Sequence, residues 1–485
     1  MKRNVFPLSF LLVAAVFALT SCSGPAGGGG VNPPPTGNGN LSLVLKVIPP
    51  APISRLSLLS FAGNITGISL TPASGSPVNV TLNATTFTTE FTRFTSDTGF
   101  LATVSAPAGT YTGLTIVFGA PVATFCTQPT PGTVGCATTP VQVVGAVGSN
   151  TATTSLTLAS NQNTGMAVNV DLSKAITASG QTISAINLAA TGAFTTSTIP
   201  GISDLTGTHL AHIDDIFGVV TSLNASAKSV TVQTATRGSI TATEGSTAIY
   251  DPACNVLKTG TTFAGCVAVN EVVSLDAILN SDGTFTYTYY DPLDTAAEDL
   301  IEGVVVTPGD STTQKFTLIT TDASIANTAS LLGGKLSLGD RVIVTLSNPS
   351  PFFVDNKGLF IAGNTFEHST DASAVLPGQT LLVHLTAFTA VSGTTPAAAT
   401  SDGLALRYTR FTSTVATTGS PVFSVNNLPA FVGTSATSQV QLTNGFTSFE
   451  GYVTAGDINP GDTISTRTLF FAPNITSSIA NVRKH

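Results

Sequence analysis

The segments LSLVLKVI (residues 41–48) and TYTGLTIVF (residues 110–118) decide the fold class. In both, apolar residues alternate with polar ones, a pattern that gives a strand one buried and one solvated face. Their valine and threonine side chains are β-branched and suit a pleated sheet. Similar runs recur along the chain, separated by Gly, Pro, Asn or Asp about every 8–12 residues, which is typical of sandwiches and barrels. The sequence therefore predicts an all-β protein.

Composition limits both the number of domains and the range of partners. The chain has 485 residues, which is long for one hydrophobic core and favours about three or four domains. Charged residues make up 9% of it, against about 25% in ordinary soluble domains. The net charge is -8 and there is no basic cluster, so the sequence argues against nucleic acid as a partner.

The N-terminus predicts export. Two positive charges, Lys2 and Arg3, precede an apolar run over residues 5–19, as in a secretory signal peptide. The run ends in Leu-Thr-Ser-Cys at Cys22, which resembles the lipobox of bacterial lipoproteins. That resemblance implies a signal peptide over residues 1–21 and a lipid-modified Cys22. The alternative is an ordinary signal peptide followed by an incidental cysteine.

A tether follows the predicted anchor. Residues 22–40 contain four consecutive glycines and three consecutive prolines, a composition that does not pack and that reaches about 25 Å as a coil. Ser23 stands where an aspartate marks inner-membrane retention in well-studied lipoproteins, so the resemblance favours the outer membrane. The expected partners are the membrane, through the lipid, and an envelope polymer or protein.

Four further cysteines form two local pairs, Cys126 with Cys136 and Cys254 with Cys266. Each pair brackets a segment rich in Gly and Thr, as a disulfide that staples a loop does. Metal binding by the thiolates is the competing interpretation, but it requires CxxC-type spacing or neighbouring histidines. We therefore predict two disulfides.

The first half of the chain predicts a β-sandwich over residues 41–205. Three features carry a resemblance: the strand at Gly67-Ile68-Ser69-Leu70, the turn at Pro107-Ala108-Gly109-Thr110-Tyr111, and the late strand at Val168-Asn169-Val170-Asp171. With them the segment resembles domain of unknown function 4382, a bacterial extracytoplasmic β-sandwich family. That family has no assigned activity.

The second half contains repeats. Thr365-Phe366-Glu367 recurs 83 residues later as Ser448-Phe449-Glu450, and Pro377-Gly378-Gln379-Thr380 recurs at the same offset as Pro460-Gly461-Asp462-Thr463. Segments such as Phe217-Gly218-Val219-Val220 resemble the small OB-like barrels of domain of unknown function 5666. We predict two to three tandem β-barrel modules after the sandwich, at residues 210–297, 300–390 and 400–480.

One cluster has the composition of a metal site. His209, His212, Asp214 and Asp215 lie within seven residues, and imidazoles three apart share a face of a helical turn. On a strand, the same spacing places the two imidazoles on opposite faces. Because the segment leads directly into a predicted strand, a solvated linker is the favoured interpretation.

Three aromatic residues alternate in a strand that follows the Asp282-Gly283 turn. Phe285, Tyr287 and Tyr289 therefore share one face. Exposed, they form a platform on which sugars stack, as OB-like sheets provide. Buried, they form the core face of a hairpin strand, which we favour because the chain has no tryptophan.

No segment carries the pattern of a known catalytic site. The sequence contains no G-x-S-x-G elbow, no P-loop and no HExxH motif, and no cofactor is expected. The favoured hypothesis is a non-catalytic lipoprotein of the cell envelope with a binding or structural role. The alternative is an exported hydrolase that acts on an extracellular polymer through acidic residues that meet only in the folded chain.

Overall fold

A computed structural model describes most of the chain beyond residue 36. The described ranges are 37–50, 56–80, 87–127, 133–137, 139–198, 212–234, 239–280, 282–293, 299–325, 331–332, 334–347, 350–357, 359, 361, 366–433, 437–443, 446–472 and 476–485. The predicted signal peptide and Cys22 lie outside these ranges. Strands account for 61% and helices for 7% of the described residues, which confirms the all-β fold class.

The first domain is a sandwich of two sheets. Its strands are β1 (Asn38–Ile48), β2 (Leu56–Pro72), β3 (Val78–Val80), β4 (Phe87–Glu90), β5 (Gly99–Pro107), β6 (Gly109–Phe118), β7 (Val122–Thr127), β8 (Val141–Val144), β9 (Gly148–Leu158), β10 (Asn163–Asp171), β11 (Ile176–Ser179), β12 (Thr182–Ile186) and β13 (Phe194–Thr198). One sheet has the order β13-β10-β1-β5, and the other has the order β8-β7-β2-β6-β9 with β3 and β4 against β2. A 3₁₀ helix, Phe91–Thr95, and helix α1, Leu172–Ala175, complete the domain, and β11 pairs with β12 alone.

Strand β1 is buried on both of its faces. Leu41, Leu43 and Leu45 point into the sandwich core and are at most 1% exposed. The opposite face was predicted to be solvated, and this prediction is wrong: Val44 is 0% exposed and Ser42 donates a hydrogen bond of 2.9 Å to a backbone carbonyl of the next domain. The outer face of the sandwich is therefore a domain interface.

The second domain is a closed barrel. Its elements are β14 (His212–Asn224), β15 (Ser229–Gln233), β16 (Ser239–Tyr250), α2 (Ala253–Leu257), α3 (Phe263–Cys266), β17 (Val272–Leu279) and β18 (Phe285–Pro292). The strands close in the order β14-β15-β16-β18-β17, and only β16 and β18 among these neighbours are parallel. A five-stranded Greek-key barrel of this kind is OB-like. We call it barrel 1.

The rest of the chain forms two more barrels with the same strand order. Their elements are β19 (Asp299–Asp310), β20 (Lys315–Ile325), β21 (Arg341–Leu346), β22 (Phe352–Val354), β23 (Thr380–Thr389), β24 (Ala397–Thr417), β25 (Val422–Asn426), β26 (Ser438–Leu442), β27 (Ser448–Glu450), β28 (Thr463–Leu469), β29 (Ser477–Lys484) and the 3₁₀ helices Ala372–Ala374, Ala430–Val432 and Ala455–Asp457. Barrel 2 closes as β19-β20-β21-β24-β23, and barrel 3 closes as β24-β25-β26-β29-β28. The prediction of tandem OB-like barrels is confirmed, and the described residues form three of them.

Barrels 2 and 3 share strand β24. Its first half pairs with β23 and β21 in barrel 2, and its second half pairs with β25 and β28 in barrel 3. Barrel 2 therefore extends past residue 390, which was the predicted end of the second barrel module. A continuous strand through both barrels leaves no linker between them.

The sequence repeat has a structural cause. Pro377–Thr380 leads into β23 and Pro460–Thr463 leads into β28, and each of these strands is the fourth of its barrel. Gly378 and Gly461 have φ values of +92° and +90°, the left-handed region that glycine adopts without steric cost. Equivalent turns therefore carry equivalent residues.

Both predicted disulfides are present, Cys126–Cys136 and Cys254–Cys266. The first closes the loop after β7, and the backbone N–H of Cys136 donates to the Val306 carbonyl of barrel 2 at 2.9 Å. The second joins α2 to α3 between the third and fourth strands of barrel 1. Neither pair is a metal site.

Candidate functional site

Only part of the histidine and aspartate cluster lies within the described residues. His209 lies outside the described residues, as do the side chains of His212 and Asp215. Asp214 is described, and it lies in strand β14 with 6% exposure. The solvated-linker prediction is wrong at this residue, because Asp214 is buried among cations from other domains. No three His, Cys, Asp or Glu side chains in the described ranges are arranged to hold a metal ion.

The aromatic strand is a core strand, as favoured. Phe285, Tyr287 and Tyr289 are 5%, 0% and 7% exposed, so the sugar-platform hypothesis is wrong. The Tyr287 hydroxyl bonds to that of Tyr250 at 2.8 Å inside barrel 1. Phe285 contacts Phe100 of the sandwich edge-on at 5.5 Å between ring centroids. Phe285 and Tyr287 belong to the core of barrel 1, whereas the Tyr289 ring lies under Lys357 Nζ of barrel 2, at 5.6 Å from the ring centroid.

The most unusual feature is a group of buried charges where all four domains meet. We call it the junction cluster, and it comprises Arg93 and Asp97 of the sandwich, Asp214 and Asp276 of barrel 1, Glu302, Lys357 and Arg407 of barrel 2, and Arg410 and Arg467 of barrel 3. Each of these side chains is at most 8% exposed. Charged residues are rarely buried unless they are paired.

Asp214 is at the centre of the junction cluster. Its carboxylate lies 2.8 Å from Lys357 Nζ, 2.7 Å from Arg467 Nη1 and 3.0 Å from Arg410 Nη2. Burial by itself raises the pKa of Asp214, but the charges of Arg467, Lys357 and Arg410 outweigh this effect and hold the pKa well below its ordinary value. Asp214 is therefore a carboxylate that joins barrel 1 to barrels 2 and 3.

The sandwich and barrel 2 enter the same network. Arg93 Nη1 lies 2.6 Å from Asp322 and 3.5 Å from Glu302. Asp97 Oδ2 accepts a hydrogen bond of 2.8 Å from Arg410 Nε of barrel 3. Each of the four domains thus contributes at least one charge to a contact with another domain.

A second contact, which we call the C-terminal clamp, joins barrel 3 to the sandwich. Arg483 donates from Nη1 to the Phe94 carbonyl at 2.7 Å and the Thr95 carbonyl at 3.0 Å, and from Nε to Glu450 at 2.5 Å. Lys46 of strand β1 forms an ion pair with the same Glu450. Burial, with a further contribution from Arg483, lowers the pKa of Lys46 to about 8, although Glu450 opposes the shift.

The Lys46 shift predicts a pH dependence. Between pH 8 and the ordinary value of 10.5, the unfolded chain binds more protons at this lysine than the folded protein does, so stability rises with pH. Relative to Lys46→Met, the wild type is expected to gain up to about 1.4 kcal/mol per pH unit in free energy of unfolding across this window. Urea titrations at several pH values measure it. Lys228→Met is the control and should follow the wild-type profile, and a Lys46→Met profile parallel to wild type would contradict the assignment.

A different polar pair lies on the outer face of barrel 2. In β23, Leu381 and Val383 point into the core, while Leu382 and His384 alternate with them and point outward. His384 Nδ1 contacts the Asp402 carboxylate on the neighbouring strand β24. The pair lies in a depression of about 400 Å³, lined by Leu293, Leu300, Pro351, Phe353, Leu382, His384, Asp402, Gly403, Leu404 and Ala405.

This depression lacks part of a hydrolytic site. A Ser-His-Asp arrangement requires a nucleophile within hydrogen-bond reach of the imidazole. None of the described residues that line the depression carries a hydroxyl or a thiol. The sequence did not single out His384 and Asp402, because they are 18 residues apart and meet only through the pairing of β23 with β24.

No protein-family model matches the sequence. No curated protein matches it either. The resemblances to domains of unknown function 4382 and 5666 therefore stay predictions.

Among solved structures, MbnP from Methylosinus trichosporium matches 29% of this chain and 77% of its own, with 14% identity and a TM-score of 0.18. The Drosophila Unr CSD456 structure matches 56% of this chain and 97% of its own, with 8% identity and a TM-score of 0.13. Likenesses of this size do not bear on function. In the described ranges, no helix has the length and apolar character needed to cross a membrane.

Proposed function

We propose that this chain is a non-catalytic lipoprotein of the bacterial cell envelope, in which a sandwich and three OB-like barrels act as one rigid body. The junction cluster is the observation that supports the proposal. The chain has 18 Lys and Arg and 26 Asp and Glu, and nine of these residues are buried together between domains. Charges placed in this way orient domains relative to one another, as a scaffold or binding protein requires.

Two disulfides support a location outside the cytoplasm, where thiols are oxidised. The sequence at Cys22 supports attachment through a lipid, and Ser23 supports the outer membrane. A body anchored in this way is suited to contact an envelope polymer or a protein partner.

Cysteine replacement tests the anchor. Cys22→Ala is expected to release the protein from the membrane fraction or to leave its signal peptide uncut, because no thiol remains for the lipid. Cell fractionation and the mass of the mature chain measure both outcomes. The control variant with both Cys126→Ala and Cys136→Ala keeps Cys22 and should remain in the membrane fraction. If Cys22→Ala stays membrane-bound and normally processed, the proposed anchor is wrong.

A second substitution tests the choice of membrane. Ser23→Asp introduces the residue that marks inner-membrane retention in the lipoproteins that the N-terminus resembles. We expect it to move the protein from the outer to the inner membrane on a density gradient. An unchanged distribution would count against the outer-membrane proposal and would leave the anchor itself untouched.

One observation favours the alternative, an exported hydrolase. In the His384–Asp402 pair the carboxylate contacts Nδ1 of the imidazole, as the aspartate of a Ser-His-Asp triad does when it orients the histidine. The described lining residues of the depression offer no nucleophile for that imidazole to activate. The non-catalytic proposal therefore accounts better for the described residues.

A further inference from the structure

We propose that Lys357 and Asp276 condense into an isopeptide bond that joins barrel 2 to barrel 1, with Asp214 as the proton carrier. Lys357 Nζ lies 2.8 Å from both oxygens of the Asp276 carboxylate and 2.8 Å from Asp214 Oδ1. All three side chains are at most 5% exposed. The fold thus holds an amine against a carboxyl group, and fixing two reacting groups in contact lowers the barrier to their reaction.

The backbone is irregular at each of these three residues. The pairing of β14 with β17 shifts register between Ile213 and Ile216, so Asp276 lies opposite a bulge that contains Asp214. The pairing of β17 with β18 shifts register directly after Asp276. Lys357 has a φ of +45°, a left-handed conformation that is uncommon outside glycine. Bulges aim side chains next to active sites, and strained residues cluster there, so the three irregularities favour a reactive site over an ordinary ion pair.

Burial gives access to the neutral forms of the amine and the acid. An ammonium ion and a carboxylate do not condense. Removal of both ions from water costs free energy, which their mutual attraction repays only in part, so burial disfavours the charged forms. Transfer of one proton from Nζ to Asp276 cancels both charges and leaves a nucleophilic amine beside a carboxylic acid.

Asp214 stabilises the acid form of Asp276. The two carboxyl groups are hydrogen-bonded to one another, and such a bond requires a proton on one of them. Burial alone raises the pKa of Asp214, but nearby cations, Arg467 foremost, hold this pKa well below its ordinary value. The shared proton therefore belongs to Asp276, and the Asp276 carboxyl carbon is the electrophile.

The reaction is a condensation that needs no co-reactant. The lone pair of Nζ attacks Cγ of Asp276 and forms the C–N bond. One proton passes from Nζ through the Asp214 carboxylate to the departing oxygen, and the C–O bond breaks to release one water. Asp214 returns to its ionised form. The product replaces a buried ion pair with a neutral amide, which costs less free energy to bury than two ions do.

A second buried pair in the same protein lacks the proton carrier. Lys46 contacts Glu450, but Glu450 also lies 2.5 Å from Arg483 Nε, and an arginine does not give up a proton. The two cations keep Glu450 in the carboxylate form, which an amine does not attack. We therefore expect an isopeptide bond at Lys357 and none at Lys46.

Mass spectrometry tests the cross-link. The protein used is the secreted form from Ser23 onward, which contains the whole compact unit Pro35–His485. We expect the wild-type chain to be lighter, by one water molecule, than its sequence with two disulfides. A tryptic digest should contain one branched peptide in which Lys357 is uncut and bonded to Asp276, because trypsin does not cleave after an acylated lysine. The peptide map is needed because cyclisation at Asp282-Gly283 loses the same mass.

Three substitutions assign the roles. Lys357→Arg keeps the cation and removes the nucleophile, and Asp276→Ala removes the electrophile, so both should restore the full mass. Asp214→Asn keeps both reactants and removes the proton carrier, so the cross-linked fraction should fall about tenfold or more. Lys228→Arg is the matched control: Lys228 pairs with Glu244 at the surface, and this variant should lose one water as the wild type does.

Three results would overturn the proposal. A wild-type chain of full sequence mass, or a loss of water that maps to another position, would exclude the bond, and both measurements need only the wild-type protein. A cross-link that persists at the wild-type level in Asp214→Asn would exclude the role of Asp214. The bond goes beyond the proposed function and does not depend on the anchor at Cys22, so its failure is distinct from failure of the proposed cellular role.

Discussion

Lys357→Met is expected to lower the free energy of unfolding by about 3–5 kcal/mol, the usual cost of removing one partner from a buried ion pair. Lys357 Nζ lies 2.8 Å from Asp214 and 2.8 Å from Asp276, and its side chain is 5% exposed. Methionine retains much of the side-chain volume but not the charge. The Asp276 carboxylate then loses the buried cation it contacts, and Asp214 loses one of its three cations. Urea unfolding of the secreted form measures the change.

Lys228→Met is the matched control. Lys228 also pairs with a carboxylate in a barrel, Glu244, but its side chain is 58% exposed. Exposed pairs contribute at most about 1 kcal/mol, so this variant should unfold close to wild type. Equal effects of the two substitutions would show that the junction cluster does not stabilise the protein beyond an ordinary surface pair.

Arg483→Met is expected to cost a similar amount, about 3–5 kcal/mol, and to loosen one specific contact. Arg483 is 3% exposed at its side chain and supplies hydrogen bonds to Phe94 and Thr95 as well as to Glu450. Without it, two buried carbonyls lose a donor and Glu450 retains Lys46. Faster hydrogen exchange should appear in the 3₁₀ helix Phe91–Thr95, because local opening follows the loss of its contacts.

The next residue provides the control for this contact. Lys484 pairs with Asp462 and its side chain is 39% exposed, so Lys484→Met should leave both unfolding and exchange near wild type. Unchanged exchange in Phe91–Thr95 after Arg483→Met would contradict the C-terminal clamp.

The sequence predicted the fold class because strand alternation is a local property. The segment at residues 41–48 alternates along one strand, and no distant contact is needed to recognise it. The repeat at Pro377 and Pro460 was visible for a similar reason. Both prolines precede a glycine with positive φ in the same turn of successive barrels, so the same conformational requirement selects the same residues.

The junction cluster could not be predicted, because its members come from distant parts of the chain. Lys357 and Arg467 are far apart in sequence, and nothing near Asp214 indicates that either belongs beside it. The same limit explains β1, whose Val44 face looks solvated until barrel 1 covers it. Domain packing, which no local pattern encodes, decides both cases.

The shared strand β24 was missed for a local reason. Ser401-Asp402-Gly403 has the composition of a turn, and the sequence therefore favours a break near residue 400. In the fold, the Ser401 hydroxyl donates to the Gly403 carbonyl at 2.9 Å within a continuous strand. The pairing with β23 shifts register there. The residues whose composition resembles a turn therefore form a β-bulge within the strand.

Calorimetry of the secreted form tests most directly whether the four domains act as one body. Buried charges that link all of them make separate unfolding of any one domain costly, so a single heat-absorption peak with equal calorimetric and van't Hoff enthalpies is expected. In Lys357→Met the same scan should show a broader or divided peak. Two or more separated peaks in the wild-type protein would show that the domains unfold independently and do not act as one body.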